Sequence, residues 1–192
     1  FWVTEGTEDG TVMIKDIFVG DEDDGGNPQR TTAEGDKLFF TADDGTHGRE
    51  LWVSDGSEEG TFMVKDINPG EEFGGINTGA NHCPYSHLVN NEYYQSSCFI
   101  GSEGSVFFSA DSDGSGGDSS TLWKSDGTEN GTVEFEDVIS PEYFNVLGNK
   151  VTFFAHNGSY DALWETDGTE EATPVIRDQD DGSSGHVVND KL

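Results

Sequence analysis

Basic residues are scarce. Nine Lys and Arg stand against 39 Asp and Glu, a formal net charge of -30 at neutral pH. Such a polyanion repels phosphate backbones and anionic bilayers, so nucleic acid and membrane surfaces are poor partners. It needs salt or bound cations to stay compact. No run approaches the ~18 apolar residues of a membrane helix, so no such helix is expected. There is no initiator Met at Phe1 and no signal-peptide pattern. The five His are scattered, with no metal-binding pair on a recognisable element. Cysteine is limited to Cys83 and Cys98, with 14 residues between them. A disulfide between the two is expected, closing a short loop worth roughly 3 kcal/mol on the chain-entropy model.

Strong acidity alone would suit a disordered chain. The aromatic content argues against that: 11% of the residues, including 13 Phe and 4 Trp, recur in ordered positions. Short aromatic runs alternate with Gly- and Asp-rich turns, the pattern of an all-β protein.

One phrase is repeated. The chain opens on "FWVTEGTEDGTVMIKDI", and "LWVSDGSEEGTFMVKDI" begins at Leu51. "LWKSDGTENGTVEFEDV" begins at Leu122 and a weaker copy, "LWETDGTEEATPVIRD", at Leu163. Aligned on Trp2, Trp52, Trp123 and Trp164, the copies are spaced by 50, 71 and 41 residues. Periods of this size point to a propeller or a repeat array. The units fall near 1–20, 28–70, 103–140 and 141–178, with the start of a further one at 186–192. The long spacing carries a cysteine-containing insertion at 72–102.

Each unit reads as four short strands: a weak first one such as "EYFNVL", then "KVTFFA", "ELWVS" and "TFMVKDI". Turns such as Gly148-Asn149 suit a tight hairpin. Asp55-Gly56, Asp126-Gly127 and Asp167-Gly168 suit the turn between the third and fourth strands, with Asp capping and Gly supplying the backbone angle. A second Gly four residues on is expected to relieve crowding there. Four antiparallel strands in 40 to 50 residues match one propeller blade. The expected fold is therefore all-β, a propeller-like array of about four blades, one of them split between the termini. The Trp is expected to pack between neighbouring blades.

"RELWVSDGSEEGT" resembles the ELWxxDGT repeat of large secreted and surface proteins. The match is close over Glu50 to Thr61 and good over Leu122 to Thr132. It is weaker at Phe1 to Thr11, where Glu5 replaces Asp, and at Leu163 to Thr173, where Ala172 replaces Gly. The resemblance implies extracellular repeat architecture and no established chemistry.

"NDKL" at Asn189 to Leu192 aligns with "GDKL" at Gly35 to Leu38. Simple ring closure would leave that blade defective, so a tandem array or window of a longer chain is the expectation. Copies meeting end to end are then the expected partners.

The acidic loops are the candidates for Ca²⁺. "DSDGSGGD" places Asp111, Asp113 and Asp118 at alternating positions around Gly, which suits hard oxygen ligation. Leu122 stands where an EF-hand's bidentate Glu would be, which excludes that class. Asp43, Asp44 and Glu50 form a second cluster, and Asp21, Asp23 and Asp24, with Glu22 among them, a third. Asn130 and Asn157 head glycosylation sequons in turn regions. No catalytic triad or carboxylate pair stands out among 39 acids. The leading expectation is a non-enzymatic extracellular structural module of a filament, appendage or matrix. The alternatives are a carbohydrate-binding propeller, with Tyr85, Tyr93, Tyr94 and Tyr160 available to stack on glycans, and a sialidase-like hydrolase.

Overall fold

The computed structural model describes residues 1–18, 26–69, 76, 87–89, 92–94, 99–112, 120–156, 161–169 and 175–177. All regular structure among them is β, and every strand pairing is antiparallel. β1 (Trp2–Thr4) and β2 (Thr11–Met13) form a two-stranded sheet. β3 (Gln29–Glu34), β4 (Lys37–Asp43), β5 (Arg49–Ser54) and β6 (Phe62–Lys65) make a four-stranded meander. β7 (His87–Val89) and β8 (Glu92–Tyr94) form a hairpin inside the insertion. The remaining strands are β9 (Phe99–Ser102), β10 (Ser105–Ala110), β11 (Thr121–Ser125), β12 (Val133–Leu147), β13 (Lys150–His156), β14 (Asp161–Thr166) and β15 (Val175–Arg177). They form one seven-stranded meander, β9 to β15 in order.

That large sheet is two repeats fused through β12. The front of β12 pairs with β11, as in Trp123↔Glu134, and its rear pairs with β13, as in Val146↔Val151. The register slips between Ile139 and Glu142 and again between Glu142 and Asn145. Ser140 and Tyr143, at φ 51° and 57°, take up the slack on either side of Pro141 and Glu142. β3 is entered in the same way: Asn27 and Arg30 sit at φ 34° and 51° around Pro28 and Gln29, and the register slips between Gln29 and Thr32. Asn-Pro-Gln-Arg and Ser-Pro-Glu-Tyr are thus one bulged entry used twice, with proline at a bulge where its missing N–H costs no ladder bond.

The chain therefore contains three full four-stranded units: unit 2 (β3–β6), unit 3 (β9 to the front of β12) and unit 4 (the rear of β12 to β15). β1 and β2 correspond to the third and fourth strands of a unit 1. The register proves the equivalence. Trp2, Trp52, Trp123 and Trp164 each pair with the residue eleven positions later, Met13, Met63, Glu134 and Val175. Unit 3 takes in Phe99–Ser102, which pairs with β10 although the sequence boundary falls at 103. "FIGS" carries none of the repeated signature, so its pairing was not readable locally.

The core lies between units. A strand's side chains alternate, so each sheet has a leading and a trailing face. Phe40 and Trp52 of unit 2 pack with Phe1 and Ile17 of unit 1. Phe108 and Trp123 of unit 3 pack with Phe39, Leu51, Val53 and Val64 of unit 2. Phe153 and Trp164 of unit 4 pack with Phe107, Leu122 and Phe135 of unit 3. Each Trp stacks on a Phe of the neighbouring strand in its own unit, with ring centroids 6.4 Å apart in all three cases. The expectation of an interfacial Trp holds at Trp52, Trp123 and Trp164, which are 5%, 4% and 7% exposed. It does not hold at Trp2, which is 63% exposed because no preceding unit among the described residues covers it.

Candidate functional site

The repeated phrase builds one hydrogen-bonded turn. In unit 3, the Thr128 N–H and hydroxyl both donate to Asp126 Oδ1, at 2.9 and 2.7 Å. The Thr128 hydroxyl accepts from Gly131 N–H, and Thr132 Oγ1 donates to the Thr128 carbonyl at 2.7 Å. Ser125 and Thr132 hydroxyls meet at 2.8 Å and close the base of the turn. Unit 2 repeats the set through Ser54, Asp55, Ser57, Gly60 and Thr61. In unit 4, Thr169 donates twice to Asp167. In unit 1, Glu5 is one methylene longer and accepts only a 3.4 Å bond from the Thr7 hydroxyl.

Gly6, Gly56, Gly127 and Gly168 share φ values of 87° to 89°, the left-handed region that a side chain resists. The second Gly has a different duty. A Cβ on Gly60 or Gly131 would collide with the carboxylate of Asp55 or Asp126. The crowding expected at this position comes from the capping Asp itself. Hydrogen bonds from Ser57, Thr128 and Thr169 hold the carboxyls of Asp55, Asp126 and Asp167 below the usual range.

A depressed carboxyl stabilises the fold above its unfolded pKa, and that contribution is lost as pH falls through the lower, folded one. Asp126→Asn is therefore expected to lower the thermal midpoint near neutral pH. The gap from wild type should close below about pH 4, the unfolded Asp value. A gap unchanged down to pH 2 would show that the carboxylate charge is irrelevant to the turn.

Lysines tie these turns to the preceding unit. Lys15 Nζ donates to the Thr61 carbonyl at 2.6 Å, and Lys65 Nζ to the Thr132 carbonyl at 3.1 Å. Both lysines stand thirteen residues after their Trp, and both carbonyls nine after the next Trp. Lys65 also lies over the Trp123 ring, 5.4 Å from its centroid. Lys37 reaches the Asp126 carbonyl and Lys124 the Gly168 carbonyl. Four of the nine basic residues thus bridge units. Sequence reasoning missed this role, although "KDI" recurs at Lys15 and Lys65.

The acidic candidates do not converge. Asp43 Oδ1 accepts the Gly45 N–H, and Asp44 Oδ1 accepts from Thr46 and His47. Asp44 Oδ2 pairs with His47 Nδ1 at 2.7 Å. Burial pushes the Asp44 carboxyl up, but the His47 and Thr46 bonds outweigh it and hold it low, while that pairing raises the imidazole. Glu50 is fully buried opposite Ala42 in the sheet. Among the described residues no three His, Cys, Asp or Glu side chains are grouped to hold a metal. Asp111 is buried at the end of β10, whereas Asp113 and Asp118 lie outside the described residues, as do Asp21, Asp23 and Asp24. Cys83, Cys98, Asn157, Tyr85 and Tyr160 also lie outside them. Asn130 is exposed at the tip of its turn.

No protein-family model matches the chain, and no curated protein matches it. Among solved structures, it is similar to a mutant puromycin hydrolase complexed with PGG, at TM-score 0.50 and 15% identity. The match covers 78% of this chain and 20% of that one, so the chain spans about a fifth of that protein's length. At this identity the likeness concerns the fold alone and carries nothing about activity.

Proposed function

We propose that the chain is a non-catalytic, extracellular structural module built from β-propeller-like blades of the ELWxxDGT kind. The supporting observation is where the repeated residues go. The motif's Asp, Thr and Gly close turns, its Trp and Phe fill interfaces, and its Lys binds the next turn. Residues repeated for chemistry would instead leave polar groups convergent on a cleft. Four-stranded units that bury one face on each neighbour are the construction of a blade array, whether closed or open. The surface is strongly acidic, and Ca²⁺ belongs to this reading as the counter-ion that offsets that charge.

Electron microscopy of native material tests the proposal. The expected result is this chain as regularly repeating density in a filament, appendage or matrix. Purified chain should show no turnover of glycosides or peptides. A freely diffusing monomer that hydrolyses either substrate would sink the reading.

A further inference from the structure

The three internal interfaces share one chemistry, and the described residues leave both halves of it open at opposite ends. The leading half is the Trp with its partner on the fourth strand. In unit 2 this pair is Trp52 and Met63, both covered by unit 1 or by their own core. In unit 1 it is Trp2 and Met13, which are 63% and 53% exposed. The trailing half is the Leu before the Trp, with the residue opposite it on the second strand. Thr41↔Leu51 and Ser109↔Leu122 are such pairs, and all four residues are buried at internal interfaces. Their counterpart in unit 4 is Phe154↔Leu163. There Phe154 is exposed, its ring meeting Tyr143 edge-on, and Leu163 is only half-buried.

The cation code points the same way. Lys15 and Lys65 each reach the turn carbonyl of the unit that follows. Unit 3 has Glu136 at this position, but unit 4 has Arg177, which restores a cation at its trailing end.

We propose that the trailing face of unit 4 docks on the leading face of unit 1 in a second copy of this chain. Trp2 would pack beside Phe154 and Leu163, and Arg177 would serve the neighbour's Thr11 carbonyl as Lys65 serves Thr132. The contact is heterologous, so it propagates from copy to copy unless the rotation closes a ring. It rests on the structural-module reading, and it names the partner and the two surfaces. Each copy carries a net charge of -30, so repulsion opposes the contact. Added salt should therefore strengthen association, the reverse of docking by surface ion pairs.

Sedimentation velocity over a concentration series tests this, in buffer with about 0.5 M salt to shorten the screening length. Wild type is expected to grow past the dimer. Trp2→Ser and Phe154→Asp should each remain monomeric, since each lacks one end. Mixed together, the two variants should form a dimer and stop there, because only one good end remains on each. Both positions are exposed, so circular dichroism and melting should match wild type. Met13→Asp replaces Trp2→Ser should that variant unfold. A wild-type monomer at all concentrations overturns the proposal. So does a mixture that never pairs, or a Phe154→Asp variant that still dimerises through Trp2 against Trp2. Those outcomes leave the module reading standing, whereas substrate turnover would remove that reading and leave the docking result intact.

Discussion

Trp123→Ala is expected to lower unfolding free energy by ~3–5 kcal/mol, and Trp2→Ala by less than ~1 kcal/mol. The two residues hold the same place in the same phrase. Trp123 is 4% exposed, stacks on Phe108, and shares a cluster with Leu51 and Val53 of the preceding unit. Its truncation removes a large buried ring and leaves a cavity that strands on both sides cannot fully close. Trp2 has no preceding unit against it and loses little contact when shortened. Urea titrations of dilute, monomeric protein decide the matter. Equal losses would mean either that the first unit is covered in solution or that the interface carries little energy. Trp52→Ala and Trp164→Ala should follow Trp123, because both are buried in the same arrangement.

Gly131→Ala should cost ~1–3 kcal/mol by overpacking, although one methyl in an ordinary turn would be tolerated. The new Cβ would strike the Asp126 carboxylate, which cannot swing away without giving up both bonds from Thr128. The penalty should shrink when Asp126 is also changed to Ala, because the obstruction is gone. The double-mutant cycle is expected to show coupling of at least ~1 kcal/mol. Additive losses would place the strain in the backbone instead. Gly56→Ala supplies the contrast. Nothing lies within 4 Å of its added Cβ, so its cost is the φ of 89° alone, and removing Asp55 should not relieve it.

Much of the local structure is legible in the sequence. The aromatic runs "LFF", "VFF" and "TFF" are strands, Asp55-Gly56 and its relatives are turns, and the four Trp mark four equivalent strands. These features follow from short-range physics: alternation along a strand, positive φ at glycine, and a carboxylate bonding two residues ahead. The second Gly was legible as a crowded point, but not the group that crowds it.

The sequence by itself determined the repeat, the strand type and the chemistry of each turn. Tertiary structure decided what each face meets. Trp2 and Trp123 have nearly the same neighbours in sequence, yet one is open and one buried, because burial depends on a unit some fifty residues away. Glu50 looks like a loop carboxylate and is buried instead, since its parity on β5 turns it inward opposite Ala42. Asp43 and Asp44 look like ligands and instead serve the loop that carries them. β12 joins two units into one sheet, and nothing local in "VEFEDVISPEYFNVL" announces that its two halves pair with different partners. Alternation states which residues share a face. Only long-range packing, with its cost in chain entropy, states which face is covered.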